Sequence, residues 1–297
     1  MKLLPTGFAL AVLLTAPLPG QDLPPGARLL TRVKEHGRAT FEHIPDYACQ
    51  ETVDRYRLSR SINPTDTLHL EVAVVGGKEL FARKGATHFQ NDDPAAFVTA
   101  GMVGSGDFSA TPLNLFVHDA GWITAPSEAG LSGRKPLRFE FEVPAQSGAY
   151  YVQVGGVRAA VGVRGAFWVD PQSLDLLRIE EHEVDLPPEL KVRDIATTIA
   201  YRRTRIGSSE PLLPISSELI VTDSSGGQHF IQVIANQRED GFDAQPGCRF
   251  DQQFRSAPHR SYSRTSESQN TGYGRRRIHR RPHRAPAARA GARRHGG

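Results

Sequence analysis

No apolar run in this chain reaches the roughly 20 residues that a membrane-spanning helix needs. The N-terminal run, Leu3 to Leu14, is interrupted by Pro5, Thr6 and Gly7. Cysteine is scarce, with only Cys49 and Cys248. None follows the N-terminal run, which argues against a lipid-modified N-terminus, and two so far apart do not suggest a metal site. The histidines before residue 250 are His36, His43, His69, His88, His118, His182 and His229, and they form no His-Glu-x-x-His or other ligand spacing. No Gly-x-Ser-x-Gly elbow surrounds Ser105 or Ser132. Gly101-Met-Val-Gly-Ser-Gly106 lacks the lysine of a phosphate loop and reads as a turn between helices. No nucleophile, base and acid can be nominated together. The expectation is a non-enzymatic protein without metal or cofactor.

What is present begins with an export signal over residues 1–20. Lys2 supplies the positive end, the apolar run follows, and Ala16 to Gly20 are small or turn-forming. An uncleaved anchor or a wrong start codon is the alternative. An exported chain enters an oxidising compartment, where Cys49 and Cys248 are free to pair, although two buried thiols also fit. Charge is divided unevenly. Twelve arginines against Asp251 and Glu267 give residues 251–297 a charge of +10, so a total of +4 leaves −6 on the first 250. The body therefore offers no electrostatic reason to bind nucleic acid. The tail, rich in Ser, Arg, His, Pro and Gly, lacks the apolar residues for a core and reads as disordered. It is a basic arm for anionic phosphates, a passive solubilising tail, or a stretch translated out of frame.

Between them, residues 21–250 read as one body. Pro24-Pro25-Gly26 opens a helix to about Glu42, with Leu29, Leu30, Val33 and Phe41 near one face. Strand patterns follow at 47–57, 68–75 and 78–83, the last two joined by Gly76-Gly77. Two short helices are expected around 94–117, with Pro94 and Pro112 in their first turns. From 137 onward the pattern is strands, with Phe139, Phe141 and Val143 alternating against Arg138, Glu140 and Glu142. The pivot is Gly165 to Glu181, where Phe167 to Val169 turns through Asp170-Pro171-Gln172-Ser173 and returns by Leu176, Leu177 and Ile179. No β-α-β alternation appears, so the sheet is not parallel. The fold class is mainly antiparallel β, with about 9–11 strands and a few covering helices.

Some polar and aromatic residues admit more than one reading. Tyr47, Cys49, Glu51, Val53 and Arg55 share one strand face. Glu51 and Arg55, with Arg57 continuing the line, make a cross-strand surface pair, form a buried polar contact, or meet an anionic head group. His182, between Glu181 and Glu183, fits a solvated strand face. Asp92-Asp93-Pro94 and Asp107 fit helix N-caps better than a calcium site. Trp122 and Trp168 line a ligand cavity or pack in the core.

Phe167-Trp168-Val169-Asp170-Pro171 with Leu177-Arg178 resembles the strand–turn–strand of the outer-membrane lipoprotein-sorting superfamily (LolA, LppX and the RseB N-terminal domain). The wider pattern is Tyr47-Ala-Cys49-Gln-Glu51, Lys78-Glu-Leu-Phe81, Gly104-Ser-Gly-Asp-Phe108 and Cys248-Arg249. It is similar to a set of exported bacterial proteins of that fold. The resemblance spans about residues 27–250. It implies a curved half-barrel-like sheet whose apolar concave face, lidded by helices, holds acyl chains of a lipid or lipoprotein. Strand alternation alone picks Phe139, Phe141, Phe167, Trp168 and Ile199 as the cavity candidates, and the chain is expected to be periplasmic or extracellular. The competing expectation is a structural or sensory envelope protein that binds another protein through a sheet edge or loop.

Overall fold

The structure, a computed structural model, describes residues 23–86, 88–89, 93–99, 102–104, 110–126, 135–154, 156–206, 208–235 and 248–249. The expected signal segment and arginine-rich tail lie outside these, as do Asp92, half of the glycine-rich stretch (Gly101, Ser105 and Gly106) and Asp107. One long helix, α1 (Pro25–Phe41), starts with Pro25 in its first turn, where a missing N–H costs nothing. The strands are β1 (Tyr47–Leu58), β2 (Ile62–Val75), β3 (Lys78–Arg83), β4 (Trp122–Thr124), β5 (Leu137–Val143) and β6 (Tyr150–Val154). They continue with β7 (Val157–Val169), β8 (Leu176–Val184), β9 (Val192–Arg203), β10 (Leu212–Asp223), β11 (Gln228–Ala235) and β12 (Cys248–Arg249).

Every pairing among these strands is antiparallel. The main path runs β3-β2-β1-β11-β10-β9-β8-β7-β5-β4, with β6 added to β7 and β12 to β1. The sheet is open, since β3 and β4 end the path on opposite sides. Register shifts at Arg55/Tyr56, Trp168/Val169 and Pro214/Ser216 are irregularities of the kind that bend a strand and deepen its twist, giving the half-barrel curvature. Among the described residues the strands number twelve, the added ones being β4 and β12, which are too short for a sequence period to reveal. One join opposes this: 159–164 and 167–169, read as two runs, are a single strand.

That join is Gly165. A Cβ there would fall 2.2 Å from the Glu180 carbonyl oxygen and 2.7 Å from the Phe141 ring. Glycine thus lets the Phe141 ring lie across its neighbour strand, a cross-strand contact that no larger residue permits. The hairpin turn behaves as its residues require. The Asp170 carboxylate accepts hydrogen bonds from the Gln172 and Ser173 backbone N–H groups, both at 2.8 Å, and these hold it below the usual carboxylate range.

Of the expected pair of covering helices, the first is a 3-10 turn, Pro94–Phe97, capped by Asp93, whose carboxylate accepts from the Ala95 N–H at 2.8 Å. The second starts as a single α turn, Ala110–Pro112, and widens to a π turn over Leu113–Val117. This lid is tied to α1. Lys34 and Arg38 each reach Asp119 at 2.7 Å, and Arg38 Nε donates to the Phe116 carbonyl at 3.3 Å. Phe41 stacks on Phe116 with centroids 5.9 Å apart. Elsewhere on α1, His36 meets Asp175 at 2.9 Å, and Arg203 clamps the same carboxylate at 2.6 and 2.8 Å. Helix, hairpin turn and β9 are thereby joined at one aspartate.

Candidate ligand site

The face of the sheet under α1 and the lid carries the inward set of each strand. Across β5, β7, β8 and β9 this set brings Phe139, Phe167, Ile179 and Ile199 into one row, all fully buried. Phe139 stacks on Phe167 at 5.1 Å, Phe141 tilts against it at 6.4 Å, and Phe116 of the lid meets it edge-on at 5.3 Å. Four of the five candidates therefore share the covered face. Trp168 does not join them, because adjacent residues of a strand point to opposite faces. It lies outside, between the Arg138 and Arg178 guanidinium groups, each 5.7 Å from its ring. Trp122 is 54% exposed on the edge strand β4.

Polar groups share this interior. Glu181 is 0% exposed and accepts a hydrogen bond from the Thr111 hydroxyl of the lid at 3.2 Å. Glu183 is buried beside it on the same face, and His182 points out to solvent. The solvated histidine is legible in the sequence, whereas sequence reasoning misses the two inward carboxylates. Their signal is the period itself, since Ile179 is inward and positions 181 and 183 follow at steps of two. On β1, Tyr47, Cys49, Glu51, Val53 and Arg55 are all buried, as their shared face requires. Arg55 forms a bidentate ion pair with Asp66, and its Nη1 donates to the Met102 carbonyl at 3.1 Å. The surface-pair expectation gives way to a buried contact. At the other end of the strand, the backbones of Cys49 and Cys248 lie directly opposite each other.

Where α1 ends, lid and sheet diverge around a cavity of about 250 Å³. Its walls are Phe41, the last residue of α1, Ile44 after it, Val74 on β2, and Pro112, Leu113 and Val117 of the lid. Glu42, Asp46 and His118 also line it, and Asp46 holds the Gly76 N–H at 2.8 Å, fixing the β2–β3 turn. Tyr47 lines it too. Only 1% of Tyr47 is exposed, and its hydroxyl has no hydrogen-bond partner among the described residues. Burial, with the nearby Glu79 carboxylate adding to it, pushes this phenol well above its ordinary range, so it stays neutral. The π turn that shapes one wall is a departure from regular helix of the kind that recurs at functional sites. Chemically, the arrangement offers an apolar slot with Glu42, Asp46 and His118 at its exposed edge, while the Tyr47 hydroxyl stays covered. Among the described residues, no three of His, Cys, Asp and Glu gather as a metal site.

No protein-family model and no curated protein matches the chain. Among solved structures, it is similar to an outer membrane lipoprotein-sorting protein domain from Vibrio parahaemolyticus. The identity is 9%, the TM-score 0.37, and the match covers 71% of this chain and 93% of that one. It is also similar to a LolA superfamily protein from Nitrosomonas europaea, at 10% identity and TM-score 0.35 over 70% and 93% of the two chains. A third is a DUF1329 family protein from Desulfovibrio piger, at 14% identity and TM-score 0.34 over 73% and 93%. Likeness this distant fixes no ligand.

Proposed function

We propose that this chain is a non-enzymatic, exported envelope protein that binds a hydrophobic ligand, an acyl chain of a lipid or lipoprotein, between its lid and the covered face of its sheet. The observation that carries this reading is the cavity where α1, lid and sheet diverge, walled by Phe41, Ile44, Val74, Leu113 and Val117. An apolar cavity of about 150 Å³ already takes up benzene, and this one is larger. Entry of a chain removes its surface from water at about 25 cal/mol per Å². The aromatic nest around Phe167 is filled by its own side chains, so the ligand sits at the rim and not against Phe139 or Ile199. The test is native mass spectrometry of the mature protein from an exporting bacterium. A folded species carrying extra mass that dissociates as lipid supports the reading; failure of delipidated protein to take up any acyl probe removes it.

A second reading has its own support. Trp122 is exposed on β4, which forms three residue pairs with β5 and ends the sheet path. An envelope protein partner adding a strand there would cover it. A clean apo mass, with Trp122 fluorescence shifting on addition of envelope extract and lost in Trp122→Ala, would favour this alternative.

A further inference from the structure

We infer that the face of the sheet turned away from α1 and the lid seats arginine side chains of the chain's own tail, beside Asp54 and Glu218 and over the Phe230 ring.

This face carries two constellations of one plan. On β5, β7 and β8, Glu140 and Glu180 flank Ala166 in a row across the strands. Trp168 stands one step of two residues further along β7, between Arg138 and Arg178. These arginines lie over its ring and reach Glu140 and Glu180 at 2.6 and 2.5 Å. The strands themselves supply carboxylates, ring and cations. Through Thr198 the same row continues to Glu218 on β10, Gln232 on β11 and Asp54 on β1. Here too a ring lies one step from the middle residue, on the other side of the row. It is Phe230, tilted against Tyr56 at 5.8 Å. The places beside it hold Tyr56 and Ile220 instead of arginines. Asp54 accepts a hydrogen bond from the Thr67 hydroxyl, and neither Asp54 nor Glu218 meets a cation among the described residues.

A guanidinium completes the second constellation. Asp54 and Glu218 stand two strand spacings apart, about 10 Å between their backbones. Glu218 is exposed, and Asp54, Tyr56, Phe230 and Ile220 are half-buried. A planar, weakly hydrated cation can lie on the Phe230 ring and pair with the carboxylates, whereas an ammonium is strongly hydrated and has no plane to stack.

Charge and reach name the tail as the source. Residues 251–297 carry +10 against −6 on the first 250, and they contain no lysine. Between Arg275 and Arg284, which lie outside the described residues, there are six arginines and no acidic residue. β12 brings the chain back beside Ala48 and Cys49, about 20 Å along β1 from Asp54. Arg275 comes 26 positions after Arg249, and a coil of that length spans about 25–30 Å. One exposed ion pair is weak, but a tether of this length holds its partner at an effective concentration on the order of millimolar.

The experiment measures fluorescence anisotropy of a rhodamine-labelled peptide, residues 274–294, at low ionic strength. It is added to the full chain and to a full chain carrying Arg275→Ser, Arg276→Ser, Arg277→Ser, Arg280→Ser, Arg281→Ser and Arg284→Ser. The substituted chain should bind the peptide, and the parent about 10-fold more weakly, because its own tail occupies the face. In the substituted chain, Glu218→Gln should weaken binding by about 1.5- to 5-fold, the value of one exposed ion pair. Glu218 has no hydrogen bond to lose, so the melting temperature should hold. Glu35→Gln, the same charge change on α1, should leave binding unchanged. The inference is overturned if the substituted chain does not bind, or if both chains bind alike. It also falls if Glu35→Gln weakens binding as much as Glu218→Gln, if a peptide with lysine for every arginine binds as tightly, or if the intact mass of the native protein excludes this tail.

Discussion

The Phe116 ring meets Phe167 edge-on, with centroids 5.3 Å apart, and this contact seats the lid on the sheet. On its other side Phe116 stacks against Phe41 of α1. One side chain thus bridges three elements. Phe116→Ala should lower unfolding free energy by about 3–5 kcal/mol, the usual range for a buried phenylalanine. Urea denaturation measures it; a loss below about 1 kcal/mol would mean that the lid is not seated by this ring.

Gly165 marks a close approach that tolerates no side chain. Gly165→Ala places a Cβ against the Glu180 carbonyl and the Phe141 ring. The expected cost is about 1–3 kcal/mol, typical of overpacking. The near-ultraviolet circular dichroism of the aromatic nest should weaken with it. An unchanged denaturation midpoint would show that β7 bends freely there.

Arg55 is 3% exposed and paired to Asp66, whose side chain is about a third exposed. Asp66→Asn removes the compensating charge. Loss of a partner from a fully buried pair costs about 3–5 kcal/mol, and solvent at Asp66 should reduce this to roughly 1–3. An Asp66→Asn variant as stable as the parent would place Arg55 in other hands, foremost the Met102 carbonyl.

Acid should loosen α1 from the sheet. The Arg203 hydrogen bonds, with His36 adding to them, hold the Asp175 carboxyl below its ordinary value, and Lys34 and Arg38 do the same for Asp119. A carboxyl whose folded pKa is depressed contributes stability that is complete above its unfolded value of about 3.9 and is lost as pH falls through the folded value. Stability should therefore decline below about pH 4–5. Asp175→Asn should flatten that decline, as read from denaturation midpoints across pH. An acid limb identical in parent and variant would count against the clamp.

The opposed backbones of Cys49 and Cys248 suit a disulfide between β1 and β12. It would close a loop of nearly two hundred residues, contributing about 5 kcal/mol in the chain-entropy model. The mature protein should weigh two daltons less than its reduced form, and Cys49→Ser should melt lower. Equal melting with and without reductant would argue for two thiols.

Sequence alone determined the local structures whose cause is local. Alternation at 137–143 makes a strand whatever lies around it, Asp170-Pro171 turns the chain through its own side chain and ring, and Pro25 starts a helix. It also determined which residues share a face, as on β1 from Tyr47 to Arg55. A period of two assigns side chains to two faces without saying which face is covered. That choice fell to tertiary structure, through the docking of α1 and the lid. It sent Phe167 inward and Trp168 out, turned Glu181 inside against Thr111, and buried Glu183 on the same face. The pairing of β1 with β11 joins residues 170 to 184 positions apart, from Leu58 with Gln228 to Glu51 with Ala235, and no local pattern encodes it. The rim cavity belongs to the same class. It exists because the end of α1, a π turn and the β2–β3 hairpin converge on Tyr47, and a void has no residue of its own to announce it in sequence.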